Sequence, residues 1–193
     1  MLNDCEMSAE MKLFAVYLGG RVPKGNTELH DVVFVVAARI EDSYHELMDK
    51  WFGDPLRVHL DSWVELQIID GQRIRLSREP ALAPAPLKLF FVNLGAYLPG
   101  QFCELHANTF VVAERAQDAK QRAKRELLRG TEELHTDDLM AIDDCIAITE
   151  TSGFHVQLEP TTQTQPFTPH NGYHVIPKEV VAAYKQSRRR GKS

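Results

Sequence analysis

No Cys-x-x-Cys pair occurs in this chain of 193 residues. Its three cysteines, Cys5, Cys103 and Cys145, are an odd number at wide spacing. That argues against a disulfide framework and against a thiolate zinc site, and favours a reducing compartment. No stretch approaches the roughly 20 apolar residues of a membrane span. The first residues, "MLNDCEMSAEM", carry acids where a secretory leader needs a basic region and an apolar run. The expectation is a cytoplasmic protein with no membrane partner. What the chain does contain, 44% apolar and 25% charged residues, is the composition of a globular fold and not of a disordered one.

Positive charge is scarce over most of the chain. The formal net charge is −5, and setting aside the five positive charges of the "KQSRRRGKS" tail leaves −10 on the rest. An acidic body repels phosphate backbones over most of its surface, which excludes a general polyanion binder and leaves only local basic patches for that role.

The chain repeats itself. Shifting the sequence by 76 positions sets Lys12-Leu13-Phe14 on Lys88-Leu89-Phe90, Leu18-Gly19 on Leu94-Gly95, Glu28-Leu29-His30 on Glu104-Leu105-His106, and Phe34 to Ala37 on Phe110 to Ala113. The same shift sets Trp51 on Leu127, His59 on His135 and Asp61 on Asp137. A small insertion after that point restores the match of Gly71 to Gly153. Two long copies indicate a duplicated subdomain and not a solenoid.

Within a copy the hydrophobic period switches. "KLFAVYL" and "DVVFVVAA" are apolar on both faces and read as interior strands. Ile40, Tyr44, Leu47, Met48, Trp51 and Phe52 form one helical stripe that Gly53 ends. In "RVHLDSWVELQI" the alternation of apolar residues with His59, Asp61, Trp63 and Glu65 reads as a half-exposed strand, and Asp70-Gly71 as the turn into another. The fold class expected is α+β: a tandem duplication of a strand-strand-helix-strand-strand unit about a pseudo-two-fold axis, plus a C-terminal helix. The boundaries are 11–77 for the first unit, 87–159 for the second, and 160–193 for a linker, short helix and basic tail. The tail beyond Tyr184 lacks apolar anchors and is expected to be mobile and dispensable.

Lys-Leu-Phe leading to Leu-Gly-Gly, Glu-Leu-His-Asp-Val-Val-Phe-Val-Val, and His59-Leu60-Asp61 resemble the small bacterial proteins of domain-of-unknown-function family 1543. The likeness runs over 11–76 and 87–158. It implies one or two copies of this unit and brings no catalytic residues to carry over.

The candidate site residues are Glu28, His30, His59 and Asp61, with Glu104, His106, His135 and Asp137 in the second copy. Residues two apart on a strand point the same way, so neighbouring strands would bring these imidazoles and carboxylates together. That nitrogen and oxygen mix suits zinc, manganese or non-haem iron. The competing reading, which weighs more on sequence alone, is structural: partly buried histidines at strand entrances, bonded to carboxylates or backbone, with no metal and no cofactor. Cys103 reads as a buried small residue, and "LGGRVPKGN" as a plain connection between strands. Lys120, Lys124 and Arg125 on the second helix, with Arg188, Arg189 and Arg190 in the tail, are the candidate nucleic-acid contacts. A charge run of this kind is more often a solvated helix face. With no nucleophile, base or cofactor fingerprint legible, the function expected is binding of a protein or small-molecule partner. A metal-dependent enzyme and a nucleic-acid binder are the alternatives, and the sequence is silent on oligomeric state.

Overall fold

The structure is a computed structural model, described over residues 10–83, 85–97, 100–127 and 140–190. It is α+β, with antiparallel sheets and two compact units, one of residues 1–66 and 166–193 and the other of 67–165.

In the first unit, strands β1 (Lys12–Gly20), β2 (Leu29–Ala37) and β3 (His59–Leu66) pair with β11 (His170–Val175) in a sheet of order β11-β3-β1-β2. β1 lies inside that sheet and is apolar on both faces, as its sequence requires. A 3-10 turn at Ile40–Ser43 leads into helix α1 (Tyr44–Lys50); of the expected stripe Ile40, Leu47, Met48 and Trp51 are buried, but Trp51 and Phe52 lie beyond the helix and Phe52 is exposed. Phe14, Val16, Leu18, Val33 and Val35 from the sheet bury against Leu47, Met48 and Trp51. Ile176 and Tyr184, the latter on the C-terminal helix α3 (Lys178–Arg190), complete this core.

The second unit holds a three-stranded sheet, β7-β6-β8, made of β6 (Lys88–Ala96), β7 (Leu105–Ala113) and β8 (Met140–Ile148), with helix α2 (Ala116–Leu127) packed through Ala119 and Ala123. It also holds a four-stranded sheet of order β4-β5-β10-β9, from β4 (Ile68–Ile69), β5 (Gln72–Ser77), β9 (Glu150–Thr151) and β10 (Phe154–Pro160). Asp70-Gly71 and Ser152-Gly153 turn its two hairpins with positive φ at both central residues, the geometry that matches strand twist. β5 pairs with β10 so that Arg75 faces Gln157, Ile74 faces Leu158 and Leu76 faces Val156. The hairpin that ends the first sequence repeat thus builds its sheet with the hairpin that ends the second. Among the described residues no helix is long and apolar enough to cross a membrane.

Strand register corrects the alignment of the copies. Phe34 faces Ala15 as Phe110 faces Phe91, which upholds the 76-residue shift through the second strand. Beyond the helix the shift is already 82, because Gly19 faces His59 whereas Gly95 faces Ala141. The insertion therefore precedes β8. Both pairings break at one equivalent place, between Tyr17 and Leu18 and between Asn93 and Leu94. The extra residue is Asp61 in one copy and Asp143 in the other. Ala141, and not His135, stands where His59 does.

The tail also departs from expectation. α3 continues to Arg190, and Tyr184 Oη donates to Asp49 Oδ1 at 2.7 Å. The Arg188 guanidinium donates to Tyr184 Oη at 3.2 Å and pairs with Asp49. The anchors are one aromatic ring and two charges, which a search for apolar residues overlooks.

Candidate functional site

Three strands of the first unit run abreast at one point: His30 on β2 and His59 on β3 both face Gly19 on the central β1. Facing positions on neighbouring strands share a sheet face, so both imidazoles stand over a residue with no side chain. The bulge at Asp61 bends β3 there, and such an extra residue re-aims a side chain. Asp61 reaches both histidines, its Oδ2 lying 3.1 Å from His30 Nε2 and its Oδ1 3.2 Å from His59 Nε2. Glu28 Oε1 stands 3.5 Å from His59 Nε2. The four residues singled out in the first copy therefore converge.

Their surroundings differ. The His59 side chain is 4% exposed, that of His30 40% and that of Glu28 43%. Neither His59 Nε2 nor Asp61 Oδ2 has a hydrogen-bond partner, although both atoms are buried. Their ion-pair contacts are close but lack hydrogen-bond geometry. Gly19 permits the crowding: a Cβ there would lie 2.4 Å from Asp61 Oδ2 and 2.6 Å from His59 Nε2. Gly20, on the opposite face, makes room for the Trp51 ring, which a Cβ would meet at 3.0 Å.

Two tyrosines escaped the sequence reading. Tyr17 stacks on the His30 ring with centroids 5.3 Å apart, and its hydroxyl is held above the usual tyrosine range by burial and then by the Asp61 charge. Tyr173 lies against the His59 ring at 4.3 Å. It sits at the irregularity where β11 pairs with β3. Tyr17 could have been found from its place two residues before Gly19. Tyr173 could not, since it reaches the site only through a pairing 109 residues away in sequence, marked by Ser62 Oγ on Asn171 Oδ1.

In the second copy Glu104 Oε2 lies 3.6 Å from His106 Nε2, whose side chain is 43% exposed. His30 and His106 thus occupy equivalent strand entrances but are more open than expected, because each lies on an outer strand of its sheet. Ala141 occupies the place of the second imidazole. His135 and Asp137 lie outside the described residues. Cys103, expected to be buried, is exposed in the segment ahead of β7. Among the described residues no group of three or more histidine, cysteine, aspartate or glutamate side chains is arranged, as it stands, to hold a metal ion.

The basic candidates fall in different units. Lys120 and Lys124 on α2 are partly covered and Arg125 is exposed, while Arg122 beside them is taken up by Asp70 at 2.9 Å and the Val112 carbonyl. Of the tail residues, Arg188 is engaged as described, and Arg189 and Arg190 are exposed. The loop after β1 closes on itself, with Gly25 N–H donating to Val22 O at 3.1 Å.

The family model described as Domain of Unknown Function (DUF1543) matches residues 25–76 and 101–156. The crystal structure of the protein Il1583 from Idiomarina loihiensis is 36% identical, with a TM-score of 0.69, over 88% of this chain and 100% of that one. No curated protein matches. Glu28, His30, His59 and Asp61 fall inside the first family match, whereas Gly19 and the whole of β11 fall outside both.

Proposed function

The chain belongs to the DUF1543 family, and on that premise we propose, from the chemistry of its own residues, that it is a binding protein whose site lies over Gly19 in the first unit. The ligand is small and makes polar contacts with His30, His59, Asp61 and Glu28. One observation carries this reading: His59 Nε2 and Asp61 Oδ2 are buried side by side with no hydrogen-bond partner. An unpaired buried polar group costs about 1–3 kcal/mol, and a ligand that satisfies both would recover that cost. Two such atoms at one place on a sheet, brought together over a glycine that lets them crowd against the backbone, suit a recognition site better than a packing fault.

The second copy supports the assignment by contrast. It keeps Gly95, Glu104 and His106 but has Ala141 at the place of His59 and no strand paired outside β8 among the described residues. We read the duplication, still visible as the symmetric β5–β10 pairing, as having left one copy to bind and the other to support the sheet. The test is native mass spectrometry of the untagged chain against its denatured mass. The reading requires a mass increment of one small species per chain in the wild type, lost in Asp61→Asn. A bare native mass in fresh protein, equal to that of Asp61→Asn, contradicts it.

A further inference from the structure

We infer that the small species is a divalent first-row transition-metal ion of the zinc class, held by His59, His30 and Asp61 with Glu28 as the fourth donor; this rests on the binding reading above. Donors about 2.0–2.1 Å from a tetrahedral ion stand roughly 3.3 Å from one another. The spacings here are 3.1 Å from His30 Nε2 to Asp61, 3.2 Å from His59 Nε2 to Asp61, and 3.5 Å from His59 Nε2 to Glu28. Three of the six donor pairs thus stand near that separation, two of them through different oxygens of Asp61, and the rest of the cage requires His30 and Glu28 to turn.

The donor types narrow the ion. Two imidazole nitrogens with carboxylate oxygens suit zinc and its neighbours, whereas calcium and magnesium take all-oxygen sites. Two carboxylates offset the charge of a divalent cation. The central donor pair is built in: His59 is buried, Tyr173 lies against its ring, and the bulge carries Asp61 to it. His30 and Glu28 are each more than a third exposed, so they can turn to close the cage. His30 is backed by the Tyr17 ring as it does so.

The second copy bears on the stoichiometry. Among its described residues Ala141 stands at the place of His59, so Glu104 and His106 lack the counterpart of the buried imidazole, and one ion per chain is expected.

The experiment uses the full untagged chain, stripped with chelator and titrated with Zn2+ by calorimetry and with Co2+ by visible absorption. We expect one ion per chain and cobalt bands of four- or five-coordinate intensity. Affinity should be about tenfold or more weaker in His59→Ala and Asp61→Asn and unchanged in His106→Ala. Should His59→Ala fail to fold by circular dichroism, Glu28→Gln and His30→Ala, at the exposed rim, must show the loss. Absence of saturable binding, binding indifferent to these variants, or equal loss in His106→Ala overturns the inference. An organic mass increment that disappears in Asp61→Asn, in protein that binds neither ion, overturns the metal and leaves the binding reading standing. A bare native mass with no binding of either ion removes both.

Discussion

Gly19 lets two imidazoles and a carboxylate crowd against the backbone where a side chain would otherwise stand, and its replacement is the sharpest test at the scale of a residue. Gly19→Ala would place a methyl 2.4 Å from Asp61 Oδ2 and 2.6 Å from His59 Nε2, so one of those side chains must leave. Both are hemmed in, and overpacking of this kind costs about 1–3 kcal/mol, read as a lower urea midpoint at unchanged slope. The histidines should separate in the same assay. His30 and His106 are each more than a third exposed and their carboxylate contacts lie at the surface, so alanine at either should cost about 0–1 kcal/mol. His59 is buried against Asp61, Glu28 and the Tyr173 ring, so His59→Ala leaves a cavity there and should cost about 2–4 kcal/mol in metal-free protein. Equal costs at His30 and His59 would mean that the burial seen at His59 has no energetic weight.

At the scale of an element, the C-terminal helix is where charge and burial combine. Asp49 on α1 accepts from Tyr184 at 2.7 Å and pairs with Arg188, whose guanidinium also lies over the tyrosine ring at 5.4 Å. Truncation after Tyr184 removes that guanidinium and the part of α3 from Lys185 to Arg190. A loss of about 1 kcal/mol lowers Tm by about 2–4 °C in a chain of this size; an unchanged Tm would restore a dispensable tail. The same tyrosine sets an alkaline limit. Burial first, and then its hydrogen bond to Asp49, raise the Tyr184 hydroxyl above its ordinary value. The folded state therefore holds the proton more tightly than the unfolded chain does. That contribution is complete below about pH 10 and is lost as pH rises through the folded value. Tyr184→Phe should be less stable than wild type at pH 8 by about 0.5–1.5 kcal/mol, and its urea midpoint should fall less steeply between pH 9 and 11. Parallel declines in the two proteins would assign the alkaline loss to Tyr17 and Tyr44, whose hydroxyls burial also raises.

For the whole molecule, the consequence is that the two sequence repeats do not close upon themselves. β5, the last strand of the first repeat, pairs along its length with β10 of the second, and Arg75 Nε donates to Glu159 at 2.8 Å across that pairing. β11, which follows both repeats, completes the sheet of the first. Two sets of backbone ladders thus join segments on either side of the Ala81–Ala85 connection. A chain cut there should run as one particle in size-exclusion chromatography, and its halves, separated in denaturant, should recover the native circular dichroism only when mixed. Halves that refold singly would show that the ladders contribute little.

What the sequence by itself determined is local. Hydrophobic period placed β1, β2, α1 and β3 because each pattern depends on neighbours a few residues apart, and positive-φ turns were legible in Asp70-Gly71 and at Gly153 for the same reason. The duplication was legible because identities accumulate over a long shift; the meeting of Glu28, His30, His59 and Asp61 was expected of neighbouring strands, but β1 lies between β2 and β3 and they meet across its Gly19. Register was not legible. A single bulge residue or a six-residue difference in the path to β8 changes which residue faces Gly95 without altering the alternation, so His135 matched His59 on paper while Ala141 took its place in the sheet. Only the tertiary structure brought Tyr173 to His59, joined β5 to β10, and gave Arg188 its carboxylate. Each of those contacts spans some 80 residues or more of chain, and its energy comes from ladders and burial that exist only once the sheets have formed.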